Sequence, residues 1–225
     1  MRLRNALLTS SVAAGLLMAQ LSVAQAPPGG GPPPGGPPGA GGPARGARAP
    51  ASKDPAAAPA GKYAIDASHS AVVARASHQG LSFNVVRFAV KEATLDWDPS
   101  NPANTKLEAT VSTKPITDPI VYRIPLDSET FMDSNKFPEV KFVSTAVRAT
   151  GGNHYEIDGQ LTLVGVTKPA QIQASLVGAG KSMEGGSVVG FTGTMNINWA
   201  DFKGPGMASS MGIVVVGLDA EFDKR

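Results

Sequence analysis

Three histidines, His69, His78 and His154, are the side chains of this sequence whose charge changes near neutral pH. His69 lies in DASHS (66–70), between Ser68 and Ser70. Neighbours in sequence do not make a catalytic triad, which needs an oriented base and an oxyanion site assembled in space. His69 therefore reads as a turn or barrel-end residue. A metal site needs several converging ligands, and His69 and His78 show no recognisable ligand spacing, with no cysteine and no third histidine nearby. Asp96 and Asp98 flank Trp97 beside Pro99, which describes a solvated turn rather than a calcium loop. Gly159 to Gly165 is no phosphate loop, since Gly-Lys-Ser/Thr and a following helix are both missing. Nothing here looks catalytic, so the expectation is no metal, no cofactor and no covalent chemistry.

The elements that would position any site begin only after an unusual leader. Arg2 and Arg4 precede an apolar run from Ala6 to Val23, broken by Thr9, Ser10, Ser11 and Gln20. That pattern is a secretory signal peptide, residues 1–24, cut after Ala24. Residues 25–60, with PPGGGPPPGGPPGAGG, have almost nothing apolar to bury and are expected to form a disordered, semi-extended spacer. Residues 61–225 form the expected domain, long enough for one sizeable core. The exported chain has no cysteine, so burial alone must hold that domain together. From Gly61 onward 15 Lys plus Arg face 17 Asp plus Glu, near −2, although the whole chain is at +2. No basic stripe for a nucleic acid is visible.

Within the domain, apolar residues recur every second position. Leu107, Ala109 and Val111 share one face of 106–113. Ile157, Leu161 and Leu163 share another before a turn, and Ile172, Ala174 and Leu176 follow it. Val189, Phe191, Met195, Ile197 and Trp199 do the same over 188–199, and Val214, Val216, Leu218, Ala220 and Phe222 over 213–222. Further runs near 62–66, 71–77, 83–97 and 139–149, the last with Phe142, bring the total to eight or nine strands, with no long helical period. LDSETFMDSNKFP (126–138) is the exception: Asp127 or Ser128 can cap a short helix that Pro138 stops. Phe131 and Met132 would turn its apolar side towards a barrel end. The predicted fold is all-β, an eight-stranded antiparallel barrel with one short helix, since closure removes exposed edges. Periodicity alone also permits a sandwich.

Small residues, Ala109, Ala174, Gly193 and Ala220, sit among the inward Val, Leu and Ile, and the evident inward aromatics are few. An eight-stranded barrel can be filled by its own side chains, or hold one ligand where those are modest. The candidate ligand-binding residues are Leu107, Ala109, Val111, Phe142, Leu161, Leu163, Ile172, Ala174, Leu176, Phe191, Met195, Ile197, Val214, Val216 and Leu218.

The domain resembles the YceI family of secreted polyisoprenoid-binding proteins from about Lys62 to Phe222. The stretches that carry the likeness are YAIDASHS (63–70), HQGLSFNVVRF (78–88), FMDSNKFPEVKFVST (131–145), GQLTLVGVTKP (159–169) and GFTGTMNINWADF (190–202). The Asp-x-x-His-Ser start falls on Asp66, His69 and Ser70. The hairpin signature falls on Leu161, Thr162, Gly165, Thr167 and Lys168. This resemblance implies a lipocalin-like barrel whose interior takes a polyisoprenoid, in an exported, usually periplasmic, protein. Where the family tends to have Asn-Arg-x-Asp-Phe-Gly, this chain reads Asn198-Trp199-Ala200-Asp201-Phe202-Lys203. A cation and a glycine are thus missing near one strand end, where Trp199 can narrow the mouth. The expected function is periplasmic binding of an isoprenoid lipid or quinone for carriage, storage or buffering, with a membrane as lipid source and an oligomeric state the sequence leaves open. The rivals are an enzyme centred on His69 or His78, and a ligand-free barrel module tethered by the spacer.

Overall fold

The computed structural model describes residues 51–116, 120–121, 124–203 and 211–225. The expected signal peptide at 1–24 and most of the expected spacer lie outside the described residues. Ten strands follow in order: β1 (Gly61–His78), β2 (Ser82–Trp97), β3 (Lys106–Pro115), β4 (Ile120–Val121), β5 (Ile124–Pro125), β6 (Glu139–Gly151), β7 (His154–Leu163), β8 (Val166–Lys181), β9 (Ser187–Asn198) and β10 (Ile213–Lys224). Eight of them close an antiparallel barrel in the order β1-β10-β9-β8-β7-β6-β3-β2, while β4 and β5 pair only with each other. Closure settles the choice between barrel and sandwich.

The nine sequence runs become eight barrel strands because 62–66 and 71–77 belong to the single strand β1. Pairing with β10 jumps between Asp66 opposite Glu221 and Ala71 opposite Asp219. Four residues, Ala67 to Ser70, stand there against the single Ala220, and polar groups of DASHS replace the lost ladder bonds. Asp66 Oδ1 accepts the Ser68 amide at 2.8 Å, and the Ser70 hydroxyl donates to the Asp66 carbonyl at 2.7 Å. The Glu221 amide in turn donates to Ser70 Oγ at 3.1 Å. Asp-x-x-His-Ser is thus the chemistry of a bulge.

Residues 126–138 are not the expected helix. They form successive turns, with amides of Phe131, Asp133 and Ser134 bonded to carbonyls of Ser128, Ser128 and Asp127. Asp133 has φ +47°, a left-handed conformation that ends any helical run. The expected burial of the segment's apolar side is nonetheless there, with Phe131 and Met132 both buried. Among the described residues the one α-helix is α1 (Ala200–Lys203), shortly after β9.

The expected spacer also ends earlier than Ala60, because residues 51–60 pack on the barrel. Ser52 and Ala179 exchange backbone bonds, a 3₁₀ turn spans Pro55–Ala57, and Ala58 is fully buried. The Trp97 indole donates to the Ala58 carbonyl at 3.1 Å and the Tyr63 hydroxyl to the Pro59 carbonyl at 2.6 Å. Two aromatic donors from the barrel thus hold a segment whose own composition carries little packing signal.

The β7–β8 hairpin shows how local sequence sets register. Val164 (φ +44°) and Gly165 (φ +77°) form the two-residue turn, both in the left-handed region that such tight hairpins need. A Cβ on Gly165 would meet the Phe137 ring at 2.5 Å, so the glycine also seats the turn segment against the hairpin.

Candidate functional site

The inner faces of the eight strands enclose a cavity of about 220 Å³. For scale, an apolar cavity of roughly 150 Å³ inside a protein stays dry and takes up a benzene-sized guest. Fourteen of the fifteen residues expected from the sequence line it: Leu107, Ala109 and Val111 of β3, Phe142 of β6, Leu161 and Leu163 of β7, Ile172 and Ala174 of β8, Phe191, Met195 and Ile197 of β9, and Val214, Val216 and Leu218 of β10. Leu176 is buried in the core without lining the cavity.

The cavity has width because small residues face each other across neighbouring strands. Ala93 pairs with Ala109 between β2 and β3, and Ala174 pairs with Gly193 between β8 and β9. In the closed strand order these two seams lie on opposite walls. Large residues in all four places would fill the space that the alternation leaves open. Phe142 lies across Gly159, where any Cβ would collide with its ring and come within 2.6 Å of the Val143 carbonyl.

One end of the cavity is a floor of three rings. Trp97, Tyr155 and Phe191 meet edge-on, with centroids 5.4 to 6.0 Å apart. Burial pushes the Tyr155 phenol above its ordinary pKa, so it stays uncharged. At the other end Asn84, Leu126, Met132, Trp199 and Met211 complete the lining. Sequence reading missed Trp97, Tyr155 and much of β1 and β2. Their signal is present but inverted midway: the inward residues of β2 are Val86, Phe88 and Val90, then Ala93, Leu95 and Trp97. Pairing with β3 slips between Val90 and Glu92, and the slip moves the apolar face from even to odd positions.

The titratable residues singled out in the sequence sit elsewhere. Ser68, His69 and Asp66 do meet: His69 Nδ1 lies 2.6 Å from Asp66 Oδ2, and the Ser68 hydroxyl donates to Asp66 Oδ1 at 2.5 Å. The connectivity is wrong for a nucleophile, because the carboxylate takes the serine proton and the imidazole meets both partners through the same nitrogen. The pair is electrostatic instead. The Asp66 carboxylate raises the His69 pKa, and His69 with Ser68 holds Asp66 well below the usual carboxylate range. Register brings Glu221 beside them, with potential ligand atoms of Asp66, His69 and Glu221 within 4.8 Å of one another. His69 is exposed there, on the barrel's outside. Asp98 sits in a solvated loop as expected, and its carboxylate accepts from the Ser100 hydroxyl, the Asn104 side-chain amide and the Asn101 and Ser100 backbone amides, which lower its pKa to about 2.

Comparison with known proteins agrees with this architecture. Residues 63–223 match the family described as YceI-like domain. A UPF0312 protein of Pseudomonas savastanoi pv. phaseolicola is 38% identical over 171 residues, covering 74% of this chain and 87% of that one. A UPF0312 protein of Vibrio parahaemolyticus is 37% identical over 156 residues, covering 68% and 82%. Among solved structures, Burkholderia cenocepacia BcnA superposes with a TM-score of 0.57 at 22% identity, over 72% of this chain and 99% of that one. The Campylobacter jejuni YceI protein gives 0.54 at 21% identity, over 66% and 90%. At such identities the two structures speak for the fold, while the family match and the relatives speak for descent. The chain belongs to the YceI-like family.

Proposed function

We propose that this chain binds a long isoprenoid lipid, of polyprenyl or quinone type, inside its barrel and carries, stores or buffers it in the periplasm. The observation that carries this proposal is the cavity itself, an apolar space between an aromatic floor and an end lined by Trp199, in a fold that could have filled it with larger side chains. An isoprenoid tail gains about 25 cal/mol per Å² of surface it buries there. Binding needs no bond making, which fits the outward position and pairing of His69. Family membership supports the ligand class, and the leader sequence supports export.

Delivery would be from a membrane surface. The β1–β2 hairpin beside the Trp199 end exposes Leu81, Phe83 and Val85, at 83%, 53% and 55%. The Arg75 guanidinium sits 4.8 Å from the Phe83 ring centroid, so apolar and cationic groups are offered together to a lipid interface. The test is mass spectrometry of the organic extract from protein purified without detergent, repeated after incubation with isoprenoid-bearing vesicles. A stoichiometric polyprenyl or quinone species is expected. An empty extract under both conditions would leave a ligand-free barrel module as the better account.

A further inference from the structure

The outer wall of the barrel is apolar and cationic where β10, β1 and β2 run towards the Leu81 hairpin. Residues 71–90 and 213–218 contain Arg75, Arg87 and His78 and not one acid. Pleating turns successive residues of a strand to opposite sides. Asn84, Val86 and Phe88 of β2 line the cavity, so Phe83, Val85 and Arg87 face out. The same alternation turns out Val73 and Arg75 on β1, with Ile213 and Val215 on β10. Phe83, Val85 and Ile213 are each more than half exposed, and Leu81 at the turn is more exposed still.

Register joins these residues into one surface. Arg75 stands between Val215 and Val85, and Val73 between Gly217 and Arg87. The Arg87 guanidinium donates to the Ser70 carbonyl at 3.4 Å, which keeps its charge at the wall. Beyond the bulge the same strands carry both signs, Asp66, Glu221 and Asp223 with Lys62 and Lys224. The cation excess of this wall is therefore confined to its hairpin half. On the β9 side α1 contributes one acid, Asp201, whose carboxylate accepts from the Asn198 side chain at 3.1 Å.

Apolar side chains flanked by arginines suit a layer of acyl chains under anionic headgroups. A second copy fits less well, because two-fold pairing would present this patch to itself with no acid for either arginine. We propose that the hairpin half of the β10–β1–β2 wall is a docking surface for anionic phospholipid bilayers, with the Leu81 turn entering the headgroup layer first. This rests on the lipid-binding function above and names the kind of membrane on which it would draw. Alternate residues of β2 then face the bilayer and the cavity, leaving one strand between a lipid's source and its destination.

The test uses the full chain and isoprenoid-free vesicles, of phosphatidylcholine alone or mixed equally with phosphatidylglycerol, so that docking is read apart from cargo. Arg2, Arg4, Arg45 and Arg48 precede the domain and also attract anions, so the difference between variants carries the result. At about fivefold per cation, Arg75→Gln combined with Arg87→Gln should weaken binding to the mixed vesicles about thirtyfold. Binding to phosphatidylcholine should not change. The chain has no cysteine, so Leu81→Cys and Val143→Cys each place a single environment-sensitive fluorophore, at the turn and on the outside of β6. The Leu81 probe should shift to the blue on mixed vesicles while the Val143 probe stays unchanged. If the double variant fails to fold, these two probes decide alone.

Wild-type binding by the double variant, equal shifts of both probes, or an unmoved Leu81 probe on vesicle-bound protein would overturn the docking surface. A Leu81 shift that grows with protein concentration in the absence of vesicles would overturn it in favour of a second copy. None of these outcomes touches the organic-extract test of the barrel's cargo. An empty extract beside intact docking would strike the cargo and keep the surface.

Discussion

Ala109→Leu separates a guest cavity from a filled barrel, because it should move binding and stability in opposite directions. Ala109 lines the cavity from the β2–β3 wall opposite Ala93, and the seam is narrow in side chains on both strands. Leucine adds three carbons to the enclosed space. At about 0.8 kcal/mol per buried carbon, the guest-free protein should gain up to about 2.4 kcal/mol. For a domain of this size that raises Tm by about 5 to 10 °C. A tail that had filled the same space loses the same three contacts, about fiftyfold in affinity. Thermal denaturation of delipidated protein and displacement of a fluorescent isoprenoid analogue measure the two sides. Unchanged affinity would show that no guest lies against this wall. A lower Tm, the sign of overpacking at about 1 to 3 kcal/mol, would show that the space was already taken.

Three further outcomes follow from the described contacts. Gly159→Ala should destabilise the barrel by about 1 to 3 kcal/mol in denaturant melts, because the new Cβ meets both the Phe142 ring and the Val143 carbonyl, and only the ring can yield; an unchanged midpoint would refute that contact. His69→Gln should lower Tm at pH 5 and leave it unchanged at pH 9, measured by melts across that range. Raised above its ordinary 6.5, the His69 pKa makes the pair's contribution complete below pH 6.5 and loses it as pH climbs through the folded value. Asp66, lowered, keeps its part of that contribution until pH falls well below 4. Trp97→Phe removes the bond to the Ala58 carbonyl while keeping a ring in the floor, so protease should cut residues 51–60 faster with the barrel melt lowered by only about 1 kcal/mol; equal cutting rates would show that this bond does not hold the segment down.

Much of this protein is determined by sequence alone wherever a strand runs without interruption. β3, β7 and β10 keep strict alternation through their inward residues, so Leu107 to Val111, Ile157 to Leu163 and Val214 to Leu218 could be assigned to one face from spacing. The tight β7–β8 turn was legible for the same local reason, since the alternating runs stop on either side of Val164-Gly165, while the left-handed backbone of both residues is seen only in the structure. Tertiary structure decided the rest. On β1, β2 and β6 a register slip exchanges the inward and outward sets, as between Val90 and Ala93 or Phe142 and Val147, and a slip is a property of two paired strands. The turns at 126–138 follow from backbone bonds that local helix signals do not foresee. Residues 51–60 became part of the domain through Trp97 and Tyr63, which lie 39 and 4 residues away from the carbonyls they hold. Whether the barrel would be full or hollow was likewise undecidable from composition. The width of the interior depends on which small residues the register sets side by side, Ala93 with Ala109 and Ala174 with Gly193, and on closure setting those seams on opposite walls.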